Sequence, residues 1–380
     1  MTQLPADPIE IARIECFVFR APIATPVRTS FGVMRDRPAL LLRVTDRDGA
    51  TGWGEVWCNF PSCGAEHRAA LVATVMTPLL EGRRFDGPAT AFDLLARETA
   101  VLAIQSGEPG PMAQAIAGID LALWDLCARR AAQPLWRYLG GESGRVPVYA
   151  SGINPDRPAA LVRAKRAEGY RAFKLKIGFG VERDLANLAE VRALIGPDLP
   201  LMADANQGWT LASALEMVER LPTFGLGWLE EPLRADRPWH EWQSLRAAAA
   251  PPLAAGENLA GPEQFDAALA ARALSVVQPD AAKWGGISGC WPVIGRIRAA
   301  GLRYCPHYLG AGVGLLASGH LLAAAGGGGM LEVDANPNPL RTLLSPAVGS
   351  VHEGSIDLGE APGIGPAPDL GALADAIAAA

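Results

Sequence analysis

The chain of 380 residues is poor in the features that tie a protein to nucleic acid, to a membrane or to a disulfide framework. Lys and Arg, 34 together, are outnumbered by 40 Asp and Glu. The formal net charge of -6 leaves no basic field for a polyphosphate or an anionic lipid surface, so neither nucleic acid nor membrane is expected as a partner. No apolar run reaches the roughly 20 residues of a membrane helix without meeting a charge, a Gly or a Pro. Residues 1–10 hold two prolines and no Lys or Arg, and lack the basic and apolar regions of a secretory leader. The six cysteines (Cys16, Cys58, Cys63, Cys127, Cys290, Cys305) show no CxxC spacing and read as reduced thiols of a cytoplasmic protein. Histidine is scarce: His67, His240, His307, His320 and His352 are all there are.

What is present is a core-forming composition, 49% hydrophobic and 19% charged, over a length sufficient for a barrel and a second domain. Residues 11–19 alternate and are rich in β-branched and aromatic side chains; 39–44 and 51–56 follow around a turn at 46–49. Together they read as an antiparallel meander. Segments 21–37 and 57–64, with their Pro, Gly and Arg, read as loops, and helical spacing of apolar residues occupies 66–80, 89–104 and 111–131. After Gly144 the rhythm changes. Short apolar runs at 146–150, 172–177, 201–203, 227–229, 253–255, 275–277, 303–305 and 330–333 alternate with amphipathic stretches such as 158–168, 181–195 and 211–221. Strand–helix repetition implies parallel strands with right-handed crossovers, and that number of units implies a closed barrel. The expected fold is therefore α/β: an α+β capping domain over 1–140, a modified (β/α) barrel over 141–340, and a Pro- and Gly-rich tail over 341–380 packing back on the cap.

Polar residues recur at the C-terminal end of these runs: Ser151, Lys174 and Lys176, Asp204 with Asn206, Glu230, Glu257, Asp280, His307 and Glu332. From Ser151 to Lys176 is 25 residues, and the later steps are 28, 26, 27, 23, 27 and 25, the length of one barrel unit. In such a barrel the strand ends converge on one mouth, where catalytic groups sit. Asp204, Glu230 and Glu257 come from three successive units. Singly each reads as a helix cap or salt-bridge partner; together they repel unless a cation joins them. All-oxygen ligation suits a hard ion, Mg²⁺ before Mn²⁺ or Ca²⁺, and zinc is disfavoured without His or Cys in the set.

Lys174 and Lys176 share one face of a strand. Two neighbouring ammonium groups depress each other's pKa, and burial depresses it further, so one is expected as a general base and the other as a clamp on a carboxylate. His307 and Asp280 end adjacent runs; a hydrogen bond between them fixes the imidazole tautomer and makes a second acid/base. Glu332 reads in two ways, as a protonated donor to an enolate or as an orienter of one of the lysines. Asn206 and Ser151 are candidates for substrate contact, as are Arg28, Arg35, Arg37, Trp57, Asn59 and Phe60 of the capping loops. Lys283 lies beyond its strand end and reads as a supporting residue. His320, in an apolar helical stretch, reads as structural, and Gly326–Gly329 as a turn, since no P-loop Lys or Ser/Thr follows.

These residues resemble the enolase superfamily and, within it, the mandelate racemase group. The likeness is carried by Lys174-Leu-Lys176, Ala203-Asp204-Ala-Asn206-Gln, Trp228-Leu-Glu230-Glu231-Pro232, Gly256-Glu257-Asn258, Gln278-Pro-Asp280 with Lys283-Trp-Gly-Gly, and Cys305-Pro-His307. The resemblance implies Mg²⁺ held by Asp204, Glu230 and Glu257, with Lys176 and the His307–Asp280 pair as opposed acid/bases, Lys174 and Glu332 stabilising an enolate, and a homo-oligomer. In the muconate-lactonizing group a catalytic Lys stands where this chain has Asp280, which favours the racemase group. The expected activity is abstraction of the proton α to a carboxylate of a small-molecule substrate, most simply dehydration of an acid sugar to a 2-keto-3-deoxy acid. A racemase or epimerase of 2-hydroxy acids is the alternative within the class, and a non-catalytic metal- and ligand-binding barrel the alternative outside it.

Overall fold

The computed structural model describes residues 4–28, 32–248 and 251–378, without the side chains of Thr25 and Arg28. Its first sheet is antiparallel in the order β3-β2-β1-β4, formed by β1 (Ile9–Arg28), β2 (Val33–Asp46), β3 (Thr51–Val56) and β4 (Arg84–Phe85). The turn between β2 and β3 is fixed by Asp46, whose Oδ1 accepts the N–H groups of Asp48 at 3.0 Å and Ala50 at 2.8 Å. The expected loop at 21–37 is instead largely strand. β1 and β2 run on past the core as a ribbon, Ala21 facing Arg37 and Arg28 facing Val33, with residues 29–31 outside the description. Proline suggested a break, but the register shift between Pro22 and Val27 absorbs Pro22 and Pro26 without ending the ladder.

The helix Pro109–Arg130 is buried along most of its length under β3. Two glycines allow it to come so close: a Cβ on Gly54 would stand 2.1 Å from the Gly118 carbonyl oxygen, and one on Gly118 would stand 2.4 Å from a Val56 methyl. Helices Gly64–Leu71 and Pro88–Ser106 complete the cap.

The second sheet is parallel. Its strands are β5 (Arg145–Ile153), β6 (Phe173–Lys176), β7 (Leu201–Asp204), β8 (Leu229–Glu230), β9 (Leu253–Ala255), β10 (Val276–Val277), β11 (Arg303–Tyr304) and β12 (Leu331–Asp334). They follow one another in chain order around the barrel, and β12 returns to pair with β5. Among the described residues no ladder joins β11 to β12, although a Cβ on Gly329 would be 2.0 Å from the Tyr304 carbonyl. The lower interior is a plug of Tyr149, Ala172, Met202, Trp228, Ala254, Val276 and Cys305, with the Tyr149 and Trp228 rings edge to face at 5.4 Å. Cys305 therefore belongs to the floor of the barrel and not to its mouth. The tail touches both halves: β13 (Ser355–Asp357) lies antiparallel to β5, while the Ile364 N–H is accepted by Asp125 at 2.5 Å and Gly365 accepts Arg129 at 2.7 Å.

Buried polar side chains fasten cap to barrel. Glu55 at the end of β3 accepts the Tyr308 hydroxyl at 2.5 Å and the N–H groups of Ala311 at 2.6 Å and Gly314 at 2.9 Å, at the start of helix Gly312–Ala325. Asp120 likewise accepts the N–H groups of Ile287 and Ser288, and burial pushes its carboxyl up to about 7. Arg37, read as a substrate contact, is instead fully buried, ion-paired to Asp334 at 2.8 Å and donating to the Pro337 carbonyl. A guanidinium removed from water needs such partners, and this one finds them between β2 and β12.

Candidate active site

Period two along β6 sends Lys174 and Lys176 inward at two heights, and the register places Lys176 beside Asp204 and Asp204 beside Glu230. Lys174 is wholly buried, ion-paired to Glu230 and to Glu332 at 2.8 Å, with Asp204 at 3.8 Å. Lys176, nearer the opening, donates to Asp204 at 2.5 Å. The expectation that these lysines have depressed pKa values is not met in this arrangement. Burial does oppose charge on both, and Lys174 opposes it on Lys176, but the surrounding carboxylates outweigh these effects and hold both above the usual lysine range.

The three carboxylates stand at neighbouring strand ends, yet each is turned onto a base: Asp204 onto Lys176, Glu230 onto Lys174, and Glu257 onto His307 Nε2. Among the described residues no three His, Cys, Asp or Glu side chains are grouped closely enough to hold a metal ion. The expected meeting around one cation is thus not seen in this arrangement, because mutual repulsion is relieved by separate ion pairs. Asp204 nevertheless feels the charge of Glu257, and Glu230 that of Asp204, so the three occupy one electrostatic neighbourhood. That all-oxygen donor set fits a hard divalent ion.

Across the mouth, His307 Nδ1 lies 2.7 Å from Asp280 Oδ2, and Asp280 Oδ1 is held by the N–H groups of Ala282 and Lys283 at 2.9 and 3.1 Å. Burial works against a charged imidazole, but Glu257 and Glu332 outweigh it, and His307 is raised well above its ordinary value. Glu332 accepts from Ser151 and from the Tyr308 N–H at 3.2 Å besides pairing with Lys174. Burial raises its pKa, but Lys174 and His307 hold it below the usual carboxylate range. Of its two sequence readings, the ionised orienter of Lys174 agrees with this geometry and the protonated donor does not.

A cavity of about 270 Å³ opens over these groups, lined by Lys176, Asn206, Glu257, His307 and Lys283 from the barrel and by Trp57 and Phe60 from the cap. Trp57 and Asn206 are thus where a substrate contact needs them, although Asn206 also braces Asp204 through its N–H at 2.7 Å and its amide at 3.2 Å. Two other candidates are not in the lining. Ser151 is buried against Glu332, and Asn59 is spent on the Leu309 carbonyl at 2.5 Å, tying the cap loop to the barrel. Arg35 is exposed on β2, and the Arg28 side chain lies outside the described residues. Sequence reasoning missed Trp228 and Gln278, which grip Glu230 Oε2 at 3.0 and 2.6 Å. Both stand two residues before a predicted site residue, so the alternation that paired the lysines would have found them. It also missed the buried Glu231, which accepts the Asn258 amide through both oxygens. His320 is structural as expected: Nδ1 accepts the Trp136 N–H and Nε2 donates to the Ile364 carbonyl, each at 3.0 Å.

A capped barrel with acid, base and carboxylates gathered at its C-terminal mouth defines a class of enzymes that form enolates from carboxylic acids. Residues 13–140 match the N-terminal domain of the mandelate racemase / muconate lactonizing enzyme family, and residues 157–372 match the enolase C-terminal domain-like family. The chain belongs to the enolase superfamily, in the mandelate racemase/muconate lactonizing enzyme-like group. It is similar to a mandelate racemase/muconate lactonizing enzyme of Bordetella bronchiseptica RB50, at 62% identity and TM-score 0.93, covering 97% of this chain and 99% of that one. A Bradyrhizobium enolase crystallised with magnesium and mandelic acid matches at 29% identity and TM-score 0.83, covering 97% and 98%. The D-galactarolactone cycloisomerase of Agrobacterium fabrum is 31% identical over 373 residues, 94% of this chain and 96% of the relative. The protein is accordingly an enolase-superfamily enzyme with dehydratase- or racemase-type chemistry. Among the described residues no helix is long and apolar enough to cross a membrane.

Proposed function

We propose that the protein dehydrates a hydroxy carboxylate, of the acid-sugar type, to a 2-keto-3-deoxy acid. The observation that carries this reading is one cavity lined by Lys176, Glu257 and His307, with Asp204 against Lys176 and Asp280 aligning His307 behind them. Asp204, Glu230 and Glu257 would hold Mg²⁺, which as a Lewis acid would stabilise negative charge developing on the substrate carboxylate. With Asp204 engaged as a metal ligand, Lys176 would lose the carboxylate that holds it charged and, as the neutral amine, would remove the α-proton. Lys174, oriented by Glu332, donates to the enolate oxygen. His307, kept protonated by its acidic neighbours and aligned by Asp280, gives its proton to the β-hydroxyl, which leaves as water, and the enol product then tautomerises to the 2-keto acid.

The test is incubation with Mg²⁺ and a panel of 2-hydroxy acids and acid sugars in D₂O, scoring α-deuterium and 2-keto acid together. Keto acid formation supports dehydration. Deuterium uptake with no new product replaces it with racemisation, which a base on each side of the cavity would also serve. Neither signal across the panel overturns both and favours a binding protein. Lys176→Ala and His307→Asn are each expected to abolish turnover; retained turnover in either removes that residue from the scheme.

A further inference from the structure

Three basic side chains line the cavity, and two of them are committed. Lys176 is paired with Asp204, and His307 lies between Glu257 and Asp280. The third is Lys283, which by its place beyond a strand end reads as a supporting residue. Its ammonium reaches the cavity, and among the described residues its hydrogen-bond partner is a neutral one, Asn258 Oδ1 at 2.8 Å. Glu231 and Glu257 sense its charge, but their oxygens are taken by Asn258 and His307.

The orientation of Asn258 is imposed. Its amide nitrogen donates to Glu231 at 2.9 and 3.1 Å and to Glu257 at 3.0 Å, so its carbonyl oxygen has to face the other way, onto Lys283. The face of the Trp57 indole meets the same ammonium at 5.0 Å. A long flexible side chain is thereby held in one place with two of its three N–H donors unspent, which matches the two oxygens of a carboxylate. β10, which precedes Lys283, lies four places from β6 in the eight-strand ring, so the two lysines enter the same cavity from strand ends on opposite sides of the barrel. A substrate whose reacting end lies at Lys176 points its far end there.

We propose that Lys283, positioned by Asn258 and Trp57, is a seat for a second carboxylate, and that the substrate is a hydroxy diacid carrying that group at the end remote from the reacting carbon. The proposal rests on the enolate reading of the site. Of the capping-ribbon arginines with described side chains, Arg37 is spent on Asp334 and Arg35 is exposed.

The experiment compares aldaric acids with the aldonic acids of the same length and configuration, which differ only at the far carbon, carboxylate against hydroxymethyl. With Mg²⁺ present, kcat/KM for product formation and for α-deuterium exchange are measured for the unaltered enzyme and for Lys283→Met and Lys283→Arg. A charge-assisted contact of this kind is expected to favour the diacid by about tenfold or more, mainly through KM. Lys283→Met should bring the diacid-to-monoacid ratio toward unity, and Lys283→Arg should keep most of it. Exchange with no preference for diacids overturns the subsite and leaves the enolate reading standing, as does an equal loss on both acids in Lys283→Met. Absence of exchange with every acid overturns the two together.

Discussion

Asp280→Asn separates the two halves of the proposed reaction. The carboxylate has two tasks: Oδ1 accepts the N–H groups of Ala282 and Lys283, and Oδ2 faces His307 Nδ1 at 2.7 Å. Asn can keep the first task with its carbonyl oxygen, so the loop after β10 should hold. It cannot keep the second, because its NH₂ then meets Nδ1. That forces Nδ1 to accept, leaves the imidazole neutral, and removes a hydrogen bond to a charged group. Such bonds contribute about 1.5–3 kcal/mol, and loss of a well-aligned general acid costs about 10² to 10⁴ in rate. Dehydration should therefore fall by about a hundredfold or more. Proton abstraction, assigned in this scheme to Lys176, should fall much less. The assay follows α-deuterium exchange and 2-keto acid release in the same sample, with a melting curve to establish folding. Equal loss of exchange and dehydration in a folded variant would refute the division of labour, and so would undiminished dehydration.

Other predictions concern how the site is held. His320 is buried and neutral, its pKa lowered to about 4 from an ordinary 6.5. Between these values the unfolded chain binds the proton and the folded one does not, so the stabilisation is complete above pH 6.5 and is lost as pH falls toward 4. The loss amounts to about 1.4 kcal/mol per pH unit, about 3 kcal/mol in all; urea unfolding across that range should show this slope in the unaltered protein and a shallower one in His320→Gln. Gly54→Ala would press a methyl against the Gly118 carbonyl at 2.1 Å and should destabilise by about 1–3 kcal/mol, read as a lowered urea midpoint. Arg37→Leu removes the nearer of the two guanidinium groups paired with buried Asp334, leaving Arg341 at 3.5 Å, and should cost less than the roughly 3–5 kcal/mol of a fully broken buried pair, by the same measurement.

The barrel and most of its mouth were legible because strands have a strict period. Each of the expected apolar runs overlaps one of β5 to β12, and the residues that end them converge because parallel strands all finish at one face. The same rule reaches one layer down, to Trp228 and Gln278 behind Glu230. Spacing can bring a residue to the site without saying what its side chain faces there. Ser151 and Asn59 were placed in the right neighbourhood, but whether a polar side chain faces a ligand or a neighbouring residue depends on which partner is nearest in space, and Glu332 and the Leu309 carbonyl were nearer.

Lys283 shows the same limit from the other direction. Three residues past Asp280, it lies outside any strand, and nothing in its spacing says where a four-carbon stem will carry the charge. Its position follows from a chain of constraints that only the fold assembles: Glu231 fixes the Asn258 amide, Asn258 turns its carbonyl, and the carbonyl and the Trp57 ring hold the ammonium. The groups proposed for the reaction thus lie on strand ends, where periodicity exposes them. On the proposed subsite, substrate choice would lie on the loops between cap and barrel, where Trp57 and Lys283 meet although 226 positions part them in the chain. A change of substrate preference can therefore arise at Lys283 or Trp57 without disturbing the strand-end groups.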